Sequence, residues 1–248
     1  MVFAVYPTVA DEVVRYLEDG TLADALGLGP ALSVNTGSER WTDMLPGVQG
    51  LALDEATRLG GAAEYAPMRL ADAVTVECIF RSFENTASAD QWSLVLHQAN
   101  AESGGANTLW GLKLLRNYSS SEPTNTLAWY HEHGSGTDVF VSATSFAIEP
   151  GGIYHVAGRR AAASGGNSTV DLWINGQQAA TGSLAQATAG TTSTRIYIGE
   201  NISAEAASFA SGAIGFIRVC SRALTDEEIV AAYNATLGGV FGERKVAP

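Results

Sequence analysis

The stretch from Arg195 to Leu237 constrains the fold more than any other, because it spells out three elements and the stops between them. Arg195-Ile-Tyr-Ile198 is a short β-branched and aromatic run ended by Gly199, which predicts a strand. Ala213–Cys220 predicts a second, with Ile217 and Val219 on one face and Ile214 and Phe216 on the other. Thr225-Asp-Glu-Glu228 then forms a capping box: the Thr hydroxyl takes the N3 amide while the Glu carboxylate reaches back to the cap. Ile229, Tyr233 and Leu237 fall on one helical stripe, and Gly238-Gly239 stops it.

Upstream the chain is a succession of short runs with period two. Ala73–Arg81 alternates most clearly, Val74, Val76, Cys78 and Phe80 against Thr75, Glu77, Ile79 and Arg81. Further strands are expected at Ala31–Val34, Gly50–Asp54, Ala62–Met68, Trp92–His97, Leu109–Arg116, Leu127–His133, Asp138–Ala143, Ile153–Arg159, Thr169–Ile174 and Gln178–Thr181. Asn175-Gly176, between the last two, is the strongest hairpin signal, because both residues tolerate the positive φ of a type I′ turn. Trp41–Pro46 reads as a loop and Gly60-Gly61 as a turn. Many short strands with one terminal helix predict an all-β, two-sheet antiparallel sandwich.

Residues 1–30 read differently. Thr8-Val-Ala-Asp11 and Thr21-Leu-Ala-Asp24 resemble helix caps, and Val9, Val13, Tyr16 and Leu17 make an apolar stripe. The organisation expected is a helical segment over 1–30, a β domain over 31–238 and a surface tail over 239–248. A helix this short is marginal in water, so its stripe must be covered by the chain's own sandwich or by a neighbouring subunit. Packing on the sandwich is the commoner arrangement. The neighbour is the hypothesis taken here, which makes Val9, Val13, Tyr16 and Leu17 a candidate assembly interface.

Of the 248 residues, 46% are hydrophobic and 16% charged, enough for a substantial core. The net charge of −12 argues against binding nucleic acid through its phosphates. No run approaches the ~20 apolar residues of a membrane helix, and Met1–Tyr6 lacks the basic region of a signal peptide. Cys78 and Cys220 both fall inside expected strands; they read as free buried thiols, with a bridge between neighbouring strands left open.

Four pieces in order carry a family resemblance: Pro46-Gly-Val-Gln-Gly-Leu-Ala-Leu53, Ile153-Tyr-His-Val-Ala157, Val170-Asp-Leu-Trp-Ile-Asn-Gly176, and the C-terminal run from Arg195. Together they resemble laminin-G-like jelly rolls of the concanavalin A-like superfamily over Ala31–Leu237. The resemblance implies a jelly-roll topology and says little about activity, since one fold hosts many functions. Domains of that family usually begin directly with a strand, so residues 1–30 depart from it. Calcium is the family's usual cofactor, held by rim-loop oxygens. Here Gly215 stands where an acid is frequent; Asp138, Glu200 and Asn201 could supply oxygens but no motif ties them together, so the expectation is no cofactor, with calcium left open.

The family's glucanases carry E-x-D-x-x-E on one strand, which this chain lacks, so no catalytic residues are expected and the protein reads as a non-enzyme. His131 and His133 share a strand face but have no third metal ligand, and read as an exposed pair. Trp110, Tyr130, His131 and His133 combine flat rings with polar edges, a mixture suited to sugar contact. Against this, Trp129 and Trp173 alternate like core residues, and Tyr130 could equally cover a sheet edge. Two functions follow as expectations. One is a non-catalytic bacteriophage virion protein of the tail, contacting other virion subunits in an oligomeric assembly and host-surface glycans. The other is an extracellular or cell-surface lectin-like domain that binds carbohydrate or protein.

Overall fold

The computed structural model describes residues 7, 9–17, 21–36, 39–45, 48–53, 58–61, 65–82, 91–99, 108–115, 126–133, 137–186, 194–198 and 212–238. In chain order the first strands are β1 (Glu12–Tyr16), β2 (Leu32–Thr36), β3 (Trp41–Leu45), β4 (Val48–Leu53) and β5 (Arg58–Gly61). A 3₁₀ turn at Ala66–Met68 precedes β6 (Val74–Ser82), β7 (Gln91–Ala99), β8 (Thr108–Leu115), β9 (Thr126–His133) and β10 (Thr137–Ala147). Then come β11 (Ile153–Arg160), β12 (Asn167–Ile174), β13 (Gln177–Ala185), β14 (Thr194–Ile198) and β15 (Gly212–Cys220). The helix α1 (Asp226–Tyr233) follows and ends in a π turn at Asn234–Gly238.

Among the described residues the strands form two antiparallel sheets. Sheet A runs β13-β12-β11-β6-β15-β4-β3, with β1 also on β15; sheet B runs β10-β9-β8-β7-β14-β5-β2. The core lies between them, filled by Val74, Val76, Cys78 and Phe80 from one side and Trp110, Leu112, Leu114 and Trp129 from the other. This is the expected sandwich. The Asn175-Gly176 turn is also as expected, at φ 52° and 73°.

The N-terminal segment corrects the helical expectation: Glu-Val-Val-Arg-Tyr is a strand. The neighbour it finds explains why. On its outer edge β15 pairs with β4 only over Gly212–Ile214, and β1 pairs with Ile217–Cys220 beyond it. Two strands thus sit end to end along one edge, and backbone pairing to an otherwise bare half-strand outweighs a marginal isolated helix. Val13, Val14, Tyr16 and Leu17 are buried in the chain's own core, and Val9 packs on a second cluster beneath α1. The four stripe residues are therefore spent within the sandwich. β1 is the first strand among the described residues.

Residues 21–30 form a loop organised by one carboxylate. Asp24 accepts from the amides of Arg15 (2.8 Å), Leu26 (3.3 Å), Leu28 (2.8 Å) and Gly29 (2.6 Å). The Tyr16 hydroxyl donates to Pro30 O at 2.8 Å, so residues 12–17 and 21–30 knit to one another.

Smaller corrections concern period and pairing. Trp41–Leu45 is a strand, because it hairpins onto β4, and Arg58–Gly61 is a strand between β14 and β2. Ala66–Met68 is a 3₁₀ turn opened by Pro67 rather than a strand. In β15 a bulge between Ile214 and Phe216 inserts Gly215, which resets the alternation. Ile214 therefore joins Ile217 and Val219 in the core, while Phe216 faces the other way. Cys78 and Cys220 are free and buried, and burial pushes both thiols well above their ordinary pKa. The 239–248 tail lies outside the described residues.

Candidate functional site

The two sheets have outer faces of opposite character. Sheet A's is covered over β11, β6 and β15 by the chain itself, while Thr169 of β12 and Gln178, Thr181 and Ser183 of β13 stay exposed. Thr225 accepts from the Glu228 amide and Glu228 from the Thr225 amide, so the capping box starts α1 as read. Helix and π turn then lay Ala232 and Leu237 on Ile79, Ala213 and Phe216, with Ile229 on Ala157, Trp173 and Cys220. Arg159 holds the helix start, donating to Asp171 Oδ2 (2.7 Å), Leu224 O (2.7 Å) and Asp226 Oδ1 (2.6 Å).

Beneath this cover lies a fully buried charge cluster. Arg218 on β15 faces Glu77 on β6 in direct register, and Arg218 Nη2 pairs with Glu77 Oε2. Arg218 Nη1 also donates to Pro7 O at 2.9 Å and lies 3.4 Å from Glu12, tying both down. His155 Nε2 lies 3.4 Å from the other Glu77 oxygen. Burial alone would raise the Glu77 pKa, but the His155 contact and the Arg218 guanidinium outweigh it and hold the carboxyl below its ordinary value.

Sheet B's outer face carries a different chemistry. Tyr197 on β14, Gly111 on β8, Tyr130 on β9 and Phe140 on β10 fall in one cross-strand row, with Leu96 of β7 between Tyr197 and Gly111. Tyr130 and Tyr197, with Phe140 packed against them, form a cluster separate from the core. The rings of Tyr130 and Phe140 are tilted at 5.0 Å between centroids. Lys113 Nζ sits 3.5 Å from the Tyr130 ring centroid, and the Tyr130 hydroxyl donates to Glu132 at 3.1 Å. Tyr130, Tyr197 and Lys113 are buried; the accessible margin is Phe140, Ser142 and Glu132, half-buried, with His133 exposed at the strand end.

The four residues singled out for sugar contact are thus divided. Trp110 is a core residue between the sheets. His131 is buried as well, which corrects the reading of an exposed histidine pair. Trp129 Nε1–H donates to His131 Nδ1 at 3.0 Å, and His131 Nε2–H donates to Ala185 O at 2.6 Å. Burial, countered by the Ala185 bond, lowers its pKa to about 4, so the ring is neutral at physiological pH. Both of its nitrogens are engaged, and the residue joins sheet B to sheet A. His133 repeats the link at the surface, its Nδ1 bonding Gln186 O at 2.9 Å. Tyr130 lies on the outer face, buried beside its margin, and His133 is exposed at the strand end on the side it shares with His131; Trp110 and His131 are interior. Phe140, Lys113 and Glu132 were missed, although strand register from His131 to Val139 would have paired Phe140 with Tyr130.

Gly215 is the bulge residue of β15 and offers no side-chain oxygen, while Glu200 and Asn201 lie outside the described residues. Among the described residues no three His, Cys, Asp or Glu side chains converge on one point. No described helix is long and apolar enough to cross a membrane.

A sandwich with one face sealed by its own helix and an aromatic–charged patch on the other is a lectin-like module in architecture. The chain belongs to the concanavalin A-like lectin/glucanases superfamily, whose Laminin_G_3 model matches residues 62–230. Among solved structures it is similar to domain 4 of AbnA, a GH43 extracellular arabinanase from Geobacillus stearothermophilus, in complex with arabinotriose. The TM-score is 0.64 at 15% identity, covering 90% of this chain and 98% of that one. It is also similar to the binding domain of botulinum neurotoxin DC in complex with SialylT, with a TM-score of 0.64 at 11% identity over 91% of this chain. The serotype C1 binding domain follows at 0.58 and 9%, over 91% of this chain. The match spans 52% of each of those two toxin domains. No curated protein matches the chain by sequence.

Proposed function

We propose that the protein is a non-catalytic carbohydrate-binding module that contacts extracellular or cell-surface glycans through the outer face of sheet B, at the β9–β10 margin. The observation that carries this reading is the asymmetry of the two faces. Over β11, β6 and β15 sheet A's outer face is consumed by α1, the π turn, Pro7 and residues 9–11, whereas sheet B's carries Tyr130, Tyr197 and Phe140 beside Lys113 and Glu132. Aromatic rings supply apolar area for a sugar's C–H face and the charged groups supply hydrogen bonds to its hydroxyls. Arabinotriose and SialylT, bound by two similar sandwiches, support a glycan as the ligand class. The virion reading, with other virion subunits as partners, rested in part on the N-terminal stripe as an anchor, and that stripe is buried in the chain's own core.

A glycan array followed by calorimetry tests the proposal. Binding to at least one oligosaccharide is expected, weakened about two- to tenfold by Phe140→Ala with the melting temperature retained, because a lost stacking ring is worth ~0.5–1.5 kcal/mol. Binding unaffected by Phe140→Ala and Glu132→Gln would move the site elsewhere. Release of reducing sugar that disappears in Glu132→Gln would make the protein an enzyme instead.

A further inference from the structure

The rim formed by the end of β11, the start of β6 and the start of β8 holds a cation of its own. Arg160 is fully buried, and its guanidinium has no carboxylate within hydrogen-bond distance among the described residues. It meets three backbone carbonyls instead: Nε donates to Asp72 O (2.7 Å), Nη1 to Leu109 O (2.5 Å) and Nη2 to Leu70 O (2.6 Å). Its Cζ lies 5.8 Å from the Trp129 ring centroid, inside cation–π range. Burial lowers its pKa to about 10, which leaves it charged at neutral pH.

Three oxygens from two separate segments converging on one buried positive charge is the arrangement by which loops bind a hard cation. The segments are the turn after Met68, with no strand partner of its own, and the first residues of β8. The far end of the turn is held separately, Asp72 Oδ1 accepting from the Ala163 amide at 2.8 Å.

We infer that Arg160 is the built-in cation of this rim, pinning residues 68–73 to β8 as a metal ion would, so that the rim needs no calcium. A planar fork on a strand brings the charge with the chain, and its five fixed donors suit diverging carbonyls better than a lysine would.

The test uses the full chain. Wild-type melting temperature should move by less than about 1 °C between EDTA and excess calcium chloride, since a ligand that does not bind the folded state cannot shift it. Arg160→Gln should lower it by more than roughly 6 °C. In that variant amide exchange should accelerate selectively at Leu70 and Ala71, whose amides donate to Met68 O and Arg69 O, while α1 keeps its protection. Should Arg160→Gln not fold, Arg160→Lys keeps the charge without the fork, and the same selective acceleration is expected of it. A wild-type melting temperature that falls by several degrees in EDTA and returns with calcium overturns the inference. So does exchange at 68–73 that is unchanged in a folded variant.

Discussion

Glu77 and Arg218 show how much a single buried pair decides in this protein. Both are fully buried and face each other in register, so each offsets most of the other's burial cost, with Glu12 and His155 as second partners. Glu77→Gln would leave Arg218 only the longer contact with Glu12, and we expect a loss of up to ~3–5 kcal/mol in chemical denaturation. His131 contributes through pH instead. Its folded pKa, near 4, lies below the unfolded value of about 6.5, so between those values the unfolded chain binds more protons. That stability is fully present above about pH 6.5 and drains away as pH falls toward 4. Denaturant midpoints measured across this window should decline in the wild type and decline less steeply in His131→Gln. Glu77 adds a second loss at lower pH, since its depressed carboxyl stabilises the fold only above the unfolded carboxylate range. Neither role was legible in the sequence. A lone Glu and an i, i+2 histidine pair carry no mark of what stands opposite them, and the cross-strand partner of Glu77 lies 141 positions away.

At the level of elements, local signals succeeded where one element carries its own instruction. The capping box started α1, Asn175-Gly176 turned the hairpin, and the alternation of Val74–Phe80 set the core face of β6. They failed where a partner decides. Val13, Tyr16 and Leu17 satisfy a helical stripe as well as a strand, and only the bare half of β15 selects the strand. The Gly215 bulge was equally invisible, because an inserted residue shows only against the register of β6. Deletion of residues 1–29 should therefore lower the melting temperature sharply, by exposing the edge of β15 and emptying the positions of Val13, Val14, Tyr16 and Leu17. A truncated protein that melts like the parent would mean β1 is dispensable. On the other side of the sheet, Ile229→Ala should cost ~2–4 kcal/mol, since Ile229 is fully buried beneath α1. Tyr233 is half-buried against the hairpin, where a Cβ added at Gly176 would come within 2.7 Å of its ring, so Tyr233→Ala should cost less than Ile229→Ala.

For the whole molecule, the division of labour between the sheets leads to a test that separates stability from binding. Over β11, β6 and β15 sheet A is closed on both faces, by the core within and by α1 and the N-terminal residues without, so the outer residues beneath that cover act on the fold. Sheet B is closed within, and the margin of its outer face carries half-buried Phe140, Ser142 and Glu132 over buried tyrosines. Substitutions at Ile229 or Arg159 should therefore lower the melting temperature while any folded fraction keeps the parental Kd for its glycan. Phe140→Ala and Glu132→Gln should do the reverse, raising Kd with a melting temperature within about 2 °C of the parent, as expected of residues at a partly exposed site. The measurement is a pair of scans, calorimetric melting and glycan titration, on the same four variants. Binding lost in step with stability in all four would show that the glycan reads the fold as a whole rather than the sheet B margin. Binding lost only in the Arg159 variant would move the contact to the helix side and overturn the assignment of the face.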